Sequence, residues 1–251
     1  MKKLKKISIF LILSGVLLII LAVSLQLFTS VGNLHSEFST GTESFTNVRE
    51  IVAVSGTLPI RLEPTEDENC EVSWNSGLPL IVSCDEYGTL RITEDDSFTM
   101  TFFSEKSSES MITIKVPIKS YERIKLSSSS GDITCLNVSC ESLDVYTRNG
   151  DISLFGANER SKIKSESGNI YLSISRFDGD MAVNGGEGDI EIDITENFDL
   201  FVEFITESGS CTSDGFDMNT DNKKGDAALL SGKGGNTLKI NTTTGNLTIK
   251  K

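Results

Sequence analysis

The chain has few of the residues from which metal and catalytic sites are usually built. Its 251 residues include one histidine, His35, and one tryptophan, Trp74. The five cysteines form no CxxC pair and no cluster with histidine, so a zinc site is not expected. A single tryptophan also gives little of the aromatic platform that sugar-binding clefts display. We therefore expect no catalytic residues, and a protein that is not an enzyme.

Charge is absent from one long stretch, residues 7–28, which is strongly apolar and follows four lysines within residues 1–6. A helix of this length spans a bilayer, since it rises roughly 1.5 Å per residue against a hydrocarbon core of roughly 30 Å. A cleaved signal peptide is the alternative, but its apolar region is usually about 7 to 15 residues and ends in small residues. We predict an uncleaved signal anchor, with residues 1–6 as a cytosolic stub, because the lysines lie on one side only.

Acidic residues dominate beyond this segment. Four of the 23 basic residues lie in residues 1–6, so the remainder holds 19 basic against 36 acidic residues, a charge of about −17. Such a charge argues against nucleic acid and against anionic lipid as partners. It favours solubility, cation binding or a basic partner.

All five cysteines follow the predicted membrane segment and allow at most two disulfides. Cys70 with Cys84, and Cys135 with Cys140, are the candidate pairs. Their spacing does not decide whether either pair is bridged.

A glycine-centred repeat organises the second half of the chain. The segments SSSGDIT, RNGDISL, ESGNIYL, GEGDIEI, ESGSCTS and TTGNLTI have their glycines spaced by 19, 18, 20, 21 and 36 residues. Glycine permits the positive φ that a tight corner needs, and Asp or Asn bonds its own backbone there. The glycines are Gly131, Gly150, Gly168, Gly188, Gly209 and Gly245.

Residues at fixed offsets from these glycines are apolar. Five residues before each glycine stand Leu126, Val145, Ile163, Val183, Phe204 and Ile240. Two residues after it stand Ile133, Ile152, Ile170, Ile190, Cys211 and Leu247. Polar residues alternate with them, as in a strand, a turn and a second strand.

A unit of this length cannot bury its apolar edge alone, but stacked units can, at the usual strand spacing of about 4.8 Å. We therefore predict an all-β fold, a parallel β-solenoid of about 19-residue coils over residues 120–251. A globular antiparallel sandwich is the alternative. Residues 44–119 are β-rich and less regular, and are predicted to start and cap the solenoid; residues 29–43 are predicted to be a tether.

These residues carry a resemblance to a known family. The segments IVAVSGTLPIRLEP and ITIKVPIKSYERIKLSSSSGDI, followed by serial GDI or GNI units, resemble the bacterial "putative adhesin" domain of unknown function. The family includes membrane-anchored proteins of Gram-positive envelope-stress operons. The resemblance implies a solenoid fold and a cell-surface location, and it implies no catalytic residues.

Two groups of acidic residues are candidate calcium ligands. Asp132, Asp151 and Asp189, with Asn169 and Asn246, should stack in a column along one corner, where carboxylates repel unless they are solvated or share cations. Asp217, Asn219 and Asp221 match the first, third and fifth places of an EF-hand-like loop, although its turn glycine and closing glutamate are missing. Solvated turn residues are the alternative for both.

The expected function is a non-enzymatic adhesion or scaffold module. It would be a single-pass protein of the cell membrane, with the N-terminus cytosolic and the C-terminal domain extracellular, possessing a protein or cell-wall partner and no nucleic acid partner. One alternative is a signalling regulator that acts through its membrane helix. The other is a carbohydrate-active β-helix enzyme, for which Glu191 and Asp193 are the acids that alternate on a strand.

Overall fold

The computed structural model describes residues 39–76, 79–94, 110–156, 160–175, 179–196, 198–221, 226–231 and 235–251. Every regular element in these ranges is a β-strand. The predicted stub and anchor, residues 1–28, lie outside the described residues. Within the described ranges, no helix has the length and apolar character needed to cross a membrane.

The described residues form twenty-three strands in chain order. They are β1 (Ser39–Phe45), β2 (Glu50–Ser55), β3 (Ile60–Thr65), β4 (Cys70–Ser76), β5 (Leu80–Cys84), β6 (Thr89–Glu94), β7 (Met111–Pro117), β8 (Ser120–Tyr121), β9 (Arg123–Ser128), β10 (Ile133–Leu136), β11 (Ser139–Cys140), β12 (Ser142–Thr147), β13 (Ile152–Phe155), β14 (Arg160–Ser165), β15 (Ile170–Ile174), β16 (Asp180–Gly185), β17 (Ile190–Ile194), β18 (Leu200–Thr206), β19 (Cys211–Ser213), β20 (Asp217–Asp221), β21 (Asp226–Ser231), β22 (Asn236–Thr242) and β23 (Leu247–Lys250). Because β1 begins at Ser39, it occupies the end of the segment predicted as a tether.

Two large sheets contain nearly all of these strands. One has ten strands in the order β1-β4-β7-β3-β10-β13-β15-β17-β23-β19, and the other has eleven in the order β20-β21-β18-β22-β16-β14-β12-β9-β2-β6-β5. A third pairing, between β8 and β11, adds a short strand to two of the coils. Each coil therefore places one strand in each large sheet.

The central coils stack in register, as the repeat predicts. Val145 pairs with Ile163, and Ile163 pairs with Val183, all in parallel strands. Their side chains are at most 2% exposed, because alternate residues of each strand point between the two sheets. The apolar residues thus form continuous columns inside the stack.

The coils at both ends do not stack in chain order. At the C-terminal end β22 and β23 pair with β16 and β17 on one side and with β18 and β19 on the other. The last coil of the chain is therefore inserted between its two predecessors. At the N-terminal end β2 and β3 likewise lie between β6 and β7 on one side and β9 and β10 on the other.

Antiparallel strands cover both ends of the stack. Strands β4 and β1 are added beyond β7, and β5 is added beyond β6. At the other end β21 pairs with β18, and β20 pairs with β21 as a hairpin. The described residues of 44–119 therefore contribute antiparallel strands at one end and the strands of two coils that continue the stack.

Candidate functional site

The glycine corner is the most regular polar feature of the fold. A Cβ atom on Gly150 would collide with the carbonyl oxygen of Gly131, and one on Gly168 would collide with that of Gly150. The glycines in the left-handed region are Gly88, Gly156, Gly179 and Gly215 among the described residues, so none of the six corner glycines is there. Our sequence-based reason for glycine was therefore wrong: the corner requires it because adjacent coils approach too closely for a side chain.

A buried hydroxyl accompanies each of four corner glycines. Gly150 donates its N–H to Thr147 Oγ1 at 3.0 Å, and Gly168 donates to Ser165 Oγ at 2.9 Å. The same bond joins Gly131 to Ser128 and Gly209 to Thr206. Our sequence analysis missed these residues, although a Ser or Thr three residues before the glycine recurs in every unit except that of Gly188, where Gly185 stands.

The predicted Asp and Asn column exists as a chain of hydrogen bonds between coils. Asp132 Oδ1 accepts the N–H of Asp151 at 2.9 Å, and Asp151 Oδ1 accepts that of Asn169 at 2.7 Å. The chain continues from Asn169 to Asp189 at 3.0 Å and from Asp189 to Asn246 at 2.8 Å. One oxygen of each side chain thus bonds the next coil.

The structure gives the calcium candidates no shared geometry. Asp132, Asp151 and Asp189 are exposed and lie on separate coils. Over the part of the chain that is described, no group of three or more His, Cys, Asp or Glu side chains converges on a metal position. Asp217 and Asp221 are the first and last residues of β20, an extended hairpin strand, so the EF-hand-like loop is a wrong prediction.

The apolar residues at fixed offsets from the six corner glycines are buried between the two sheets, with one exception. Leu126, Val183 and Phe204 are at most 1% exposed, whereas Cys211 is only half-buried on β19 at the edge of its sheet. Cys211 therefore packs against the core as an apolar residue, but it is less buried than we predicted because its strand is at the sheet edge. The other buried members are Val145, Ile163, Ile240, Ile133, Ile152, Ile170, Ile190 and Leu247.

The cysteines are thiols in this structure. Burial raises the pKa of Cys70 and of Cys135 from 9.0 to about 12, and that of Cys211 to about 11. Cys70 and Cys84 lie in different sheets, on β4 and β5, so these two consecutive strands do not form a hairpin with each other. Thiols with such raised pKa values are poor nucleophiles at neutral pH.

The two acids considered for glycoside chemistry lie on the outer face of the ten-stranded sheet, each with a partner. Glu191 accepts a hydrogen bond from Lys250 Nζ at 2.6 Å, which raises the pKa of that lysine. Asp193 accepts one from the Tyr171 hydroxyl at 2.7 Å, which raises the pKa of the tyrosine. Both carboxylates therefore bind neighbouring side chains on the outer surface of the sheet.

The outer face of the eleven-stranded sheet concentrates basic residues despite the net charge of −13. Arg91, Lys125, Lys162 and Lys239 are all exposed on it. A shallow cavity of about 280 Å³ lies among Lys125, Asp144, Tyr146, Lys162, Lys164 and Asn184. Composition alone did not reveal this separation of charge, because it depends on which strands become neighbours.

The chain is similar to several proteins of known structure. The structure of a protein named as a "putative cell adhesion protein" from Clostridium sporogenes has a TM-score of 0.51 at 14% identity, covering 84% of this chain and 99% of its own. A "putative adhesin" from Bacteroides fragilis gives a TM-score of 0.41 at 17% identity, covering 84% and 96%. A "putative lipid binding protein" from Parabacteroides distasonis gives 0.32 at 12% identity, covering 85% and 97%.

The likeness to the clostridial structure shows the fold and nothing further. No curated protein matches the chain. Residues 120–250, more than half of the chain, match the model of one family, and they contain all six glycine units. The chain belongs to the Toastrack DUF4097 family.

Proposed function

We propose that this chain is a non-enzymatic adhesion or scaffold module on the outer face of a bacterial membrane, anchored by residues 7–28 and linked to envelope stress. The supporting observation is the shape of the stack. Two long sheets present outer faces over eight coils of the described residues, in which outward residues are mainly polar and inward ones aliphatic. Such faces bind partners through extended surfaces.

The membership in the Toastrack DUF4097 family and the fold shared with a protein named as a "putative cell adhesion protein" support the same proposal.

The cavities described are shallow surface features of about 210 to 410 Å³. The largest lies around Trp74, which packs over Gly41 of the neighbouring strand.

The location is tested by labelling intact cells with a membrane-impermeant maleimide. The variant Lys251→Cys should be labelled on intact cells above the level of the unmodified chain, and Lys2→Cys only after permeabilisation. The reverse pattern would contradict the proposed orientation.

The role of the membrane segment is tested by replacing residues 7–28 with an unrelated apolar helix. An adhesion or scaffold module should keep its cell-attachment phenotype, because the helix serves only to hold it at the surface. Loss of the phenotype with surface labelling intact would favour the signalling regulator instead.

A further inference from the structure

The basic residues of the eleven-stranded sheet follow a regular pattern. On its outer face, residues that pair with one another across neighbouring strands form a line along the stack. From β6 to β18, the residues of one such line alternate between basic and non-basic. They are, in order, Arg91, Val52, Lys125, Asp144, Lys162, Ala182, Lys239 and Glu203. We call Arg91, Lys125, Lys162 and Lys239 the basic row.

The spacing of the row follows from the fold. Neighbouring parallel strands lie about 4.8 Å apart, so consecutive members, two strands apart, are separated by about 9.6 Å. The row runs along the axis of the stack, across the strands. Between its members lie the uncharged Val52 and Ala182 and the acidic Asp144, and the acidic Glu203 follows Lys239 at the end.

Most charges of the row are available to a ligand. Among the described residues, no ion pair involves Lys125, Lys162 or Lys239. Arg91 has only a long contact of 3.9 Å to Asp85. The carboxylate of Asp144, between Lys125 and Lys162, is bound to Arg123 at 2.8 Å.

The excess of acidic residues elsewhere does not prevent local anion binding. At physiological ionic strength, exposed charges are largely screened beyond about 8 Å, so a ligand on the row senses mainly the row and its neighbours. Lys164 lies beside the row, over the ring of Tyr146 at 5.4 Å from the ring centre, and its Nζ is also 3.2 Å from the carboxylate of Glu166. The cavity at Lys125, Lys162 and Lys164 gives the face a shallow depression in which a ligand group would lie.

We propose that the basic row binds a linear anionic glycan that carries a charge on every second sugar. This inference rests on the proposed surface function and names the partner class. The glycan lies along the axis of the stack, with its charged sugars at the basic strands. Its uncharged sugars face the intervening strands, where Val52, Asp144 and Ala182 supply no cation.

The alternation argues against other anionic partners. Nucleic acid strands carry a phosphate about every 3.4 Å along the helix axis, so surplus phosphates would face Val52, Asp144 and Ala182, which supply no cation. Membrane recognition uses clusters of basic residues, whereas the members of the basic row alternate with uncharged or acidic residues. An anionic glycan with a charge on every sugar would likewise place half of its charges where no cation lies.

The test is a binding titration of the full-length protein in neutral detergent. Hyaluronate, with a carboxylate on every second sugar, is the probe; polygalacturonate, with a carboxylate on every sugar, and uncharged dextran are the comparisons. We expect hyaluronate to bind most tightly, with affinity falling as salt rises.

Matched variants assign the binding to the row. Lys125→Gln with Lys162→Gln should lower the hyaluronate affinity about tenfold, since each exposed charge contact contributes a modest amount. Lys115→Gln with Lys250→Gln makes the same charge change on the outer face of the ten-stranded sheet and should leave the affinity within about twofold. Thermal melts of both variants check that the fold is retained.

Three results would overturn the inference: equal losses in the two double variants, polygalacturonate binding at least as tightly as hyaluronate, or binding only to DNA or to phosphatidylglycerol vesicles. If hyaluronate does not bind while cell attachment persists, the inference is wrong and the proposed function stands. If maleimide labelling places the C-terminus in the cytosol, the proposed function is wrong whatever the titration gives.

Discussion

Val183 has Ile240 as its register partner in the next coil, and not Phe204, which follows it in the repeat. Phe204 pairs instead with the far side of Ile240. The C-terminal coil, formed by β22 and β23, therefore has a paired coil on each side. The outermost parallel coil is formed by β18 and β19, and the chain continues from both of its ends. The N-terminal end has the same arrangement, with β2 between β6 and β9. Each end of the solenoid chain is thus protected from fraying, because it is paired in two directions.

Deleting residues 236–251 should disrupt more than the last coil. Strands β16 and β18 would each lose one of their two partners, so we expect amide exchange in Leu200–Thr206 to accelerate at least about tenfold. Hydrogen exchange with mass spectrometry measures this directly. Deletion of Ser39–Phe45, an edge strand paired only with β4, is the control and should leave Leu200–Thr206 protected. Unchanged protection in the C-terminal deletion would contradict the inserted coil.

Replacing Gly168 with alanine should destabilise the fold, because the new methyl group would overlap the carbonyl group of Gly150 in the adjacent coil. Overpacking of this kind costs about 1–3 kcal/mol, and we expect the upper part of that range for a contact with backbone. Denaturant unfolding monitored by circular dichroism measures the loss. At Gly235 a Cβ would lie 3.6 Å from the nearest atom, Asp199 Cβ, so Gly235→Ala should be nearly neutral. Equal losses for the two variants would show that close approach is not the reason for glycine at the corner.

The stability that the column of Asp and Asn side chains contributes should depend on a hydrogen-bond acceptor and not on a negative charge. Asp151→Asn keeps an oxygen that accepts the N–H of Asn169, whereas Asp151→Ala removes it. We expect the asparagine variant to match the parent and the alanine variant to lose about 1 kcal/mol of unfolding free energy. Chemical denaturation with and without calcium provides the measurement. A stabilisation by calcium in the parent that disappears in Asp151→Asn would instead indicate a metal-binding column.

Alkaline pH should weaken the fold through its buried thiols. Burial raises the pKa of Cys135 from 9.0 to about 12, so the folded state keeps its proton between these values while the unfolded state loses it. The contribution of Cys135 is complete below pH 9 and is lost as the pH rises towards 12. Between pH 9 and pH 10 this thiol alone should account for about 1 kcal/mol.

The measurement is urea unfolding at both pH values under reducing conditions. Cys135→Ala should show a smaller decrease between pH 9 and pH 10 than the parent, whatever its stability at pH 8. An identical decrease in parent and variant would show that Cys135 does not titrate on unfolding in this range.

The sequence predicted the parts of the fold that repeat locally. Gly131, Gly150 and Gly168 mark corners at a constant spacing, and the residues five before and two after them lie in the interior columns. The reason for glycine was not predictable from composition, since it depends on the distance between coils. The hydroxyls of Ser128, Thr147 and Ser165 were a signal in the sequence that we overlooked.

The candidate sites were predicted less well. Asp217 and Asp221 fitted a loop pattern by spacing, but pairing of β20 with β21 made them strand residues. The basic row was not predicted, because its members come from four strands whose order is a property of the whole stack. Lys162 and Lys239 are far apart in sequence, yet they are separated by one strand.

By itself the amino-acid sequence determined the alternation of polar and apolar residues, the glycine corners and the all-β coil, because these depend on contacts within one repeat and on the requirement to bury its apolar edge. Only the tertiary structure decided the order of the coils at each end and the charges that share a face. The repeats are so alike that either order would satisfy the same local pattern. Closing both ends with paired strands selects between them.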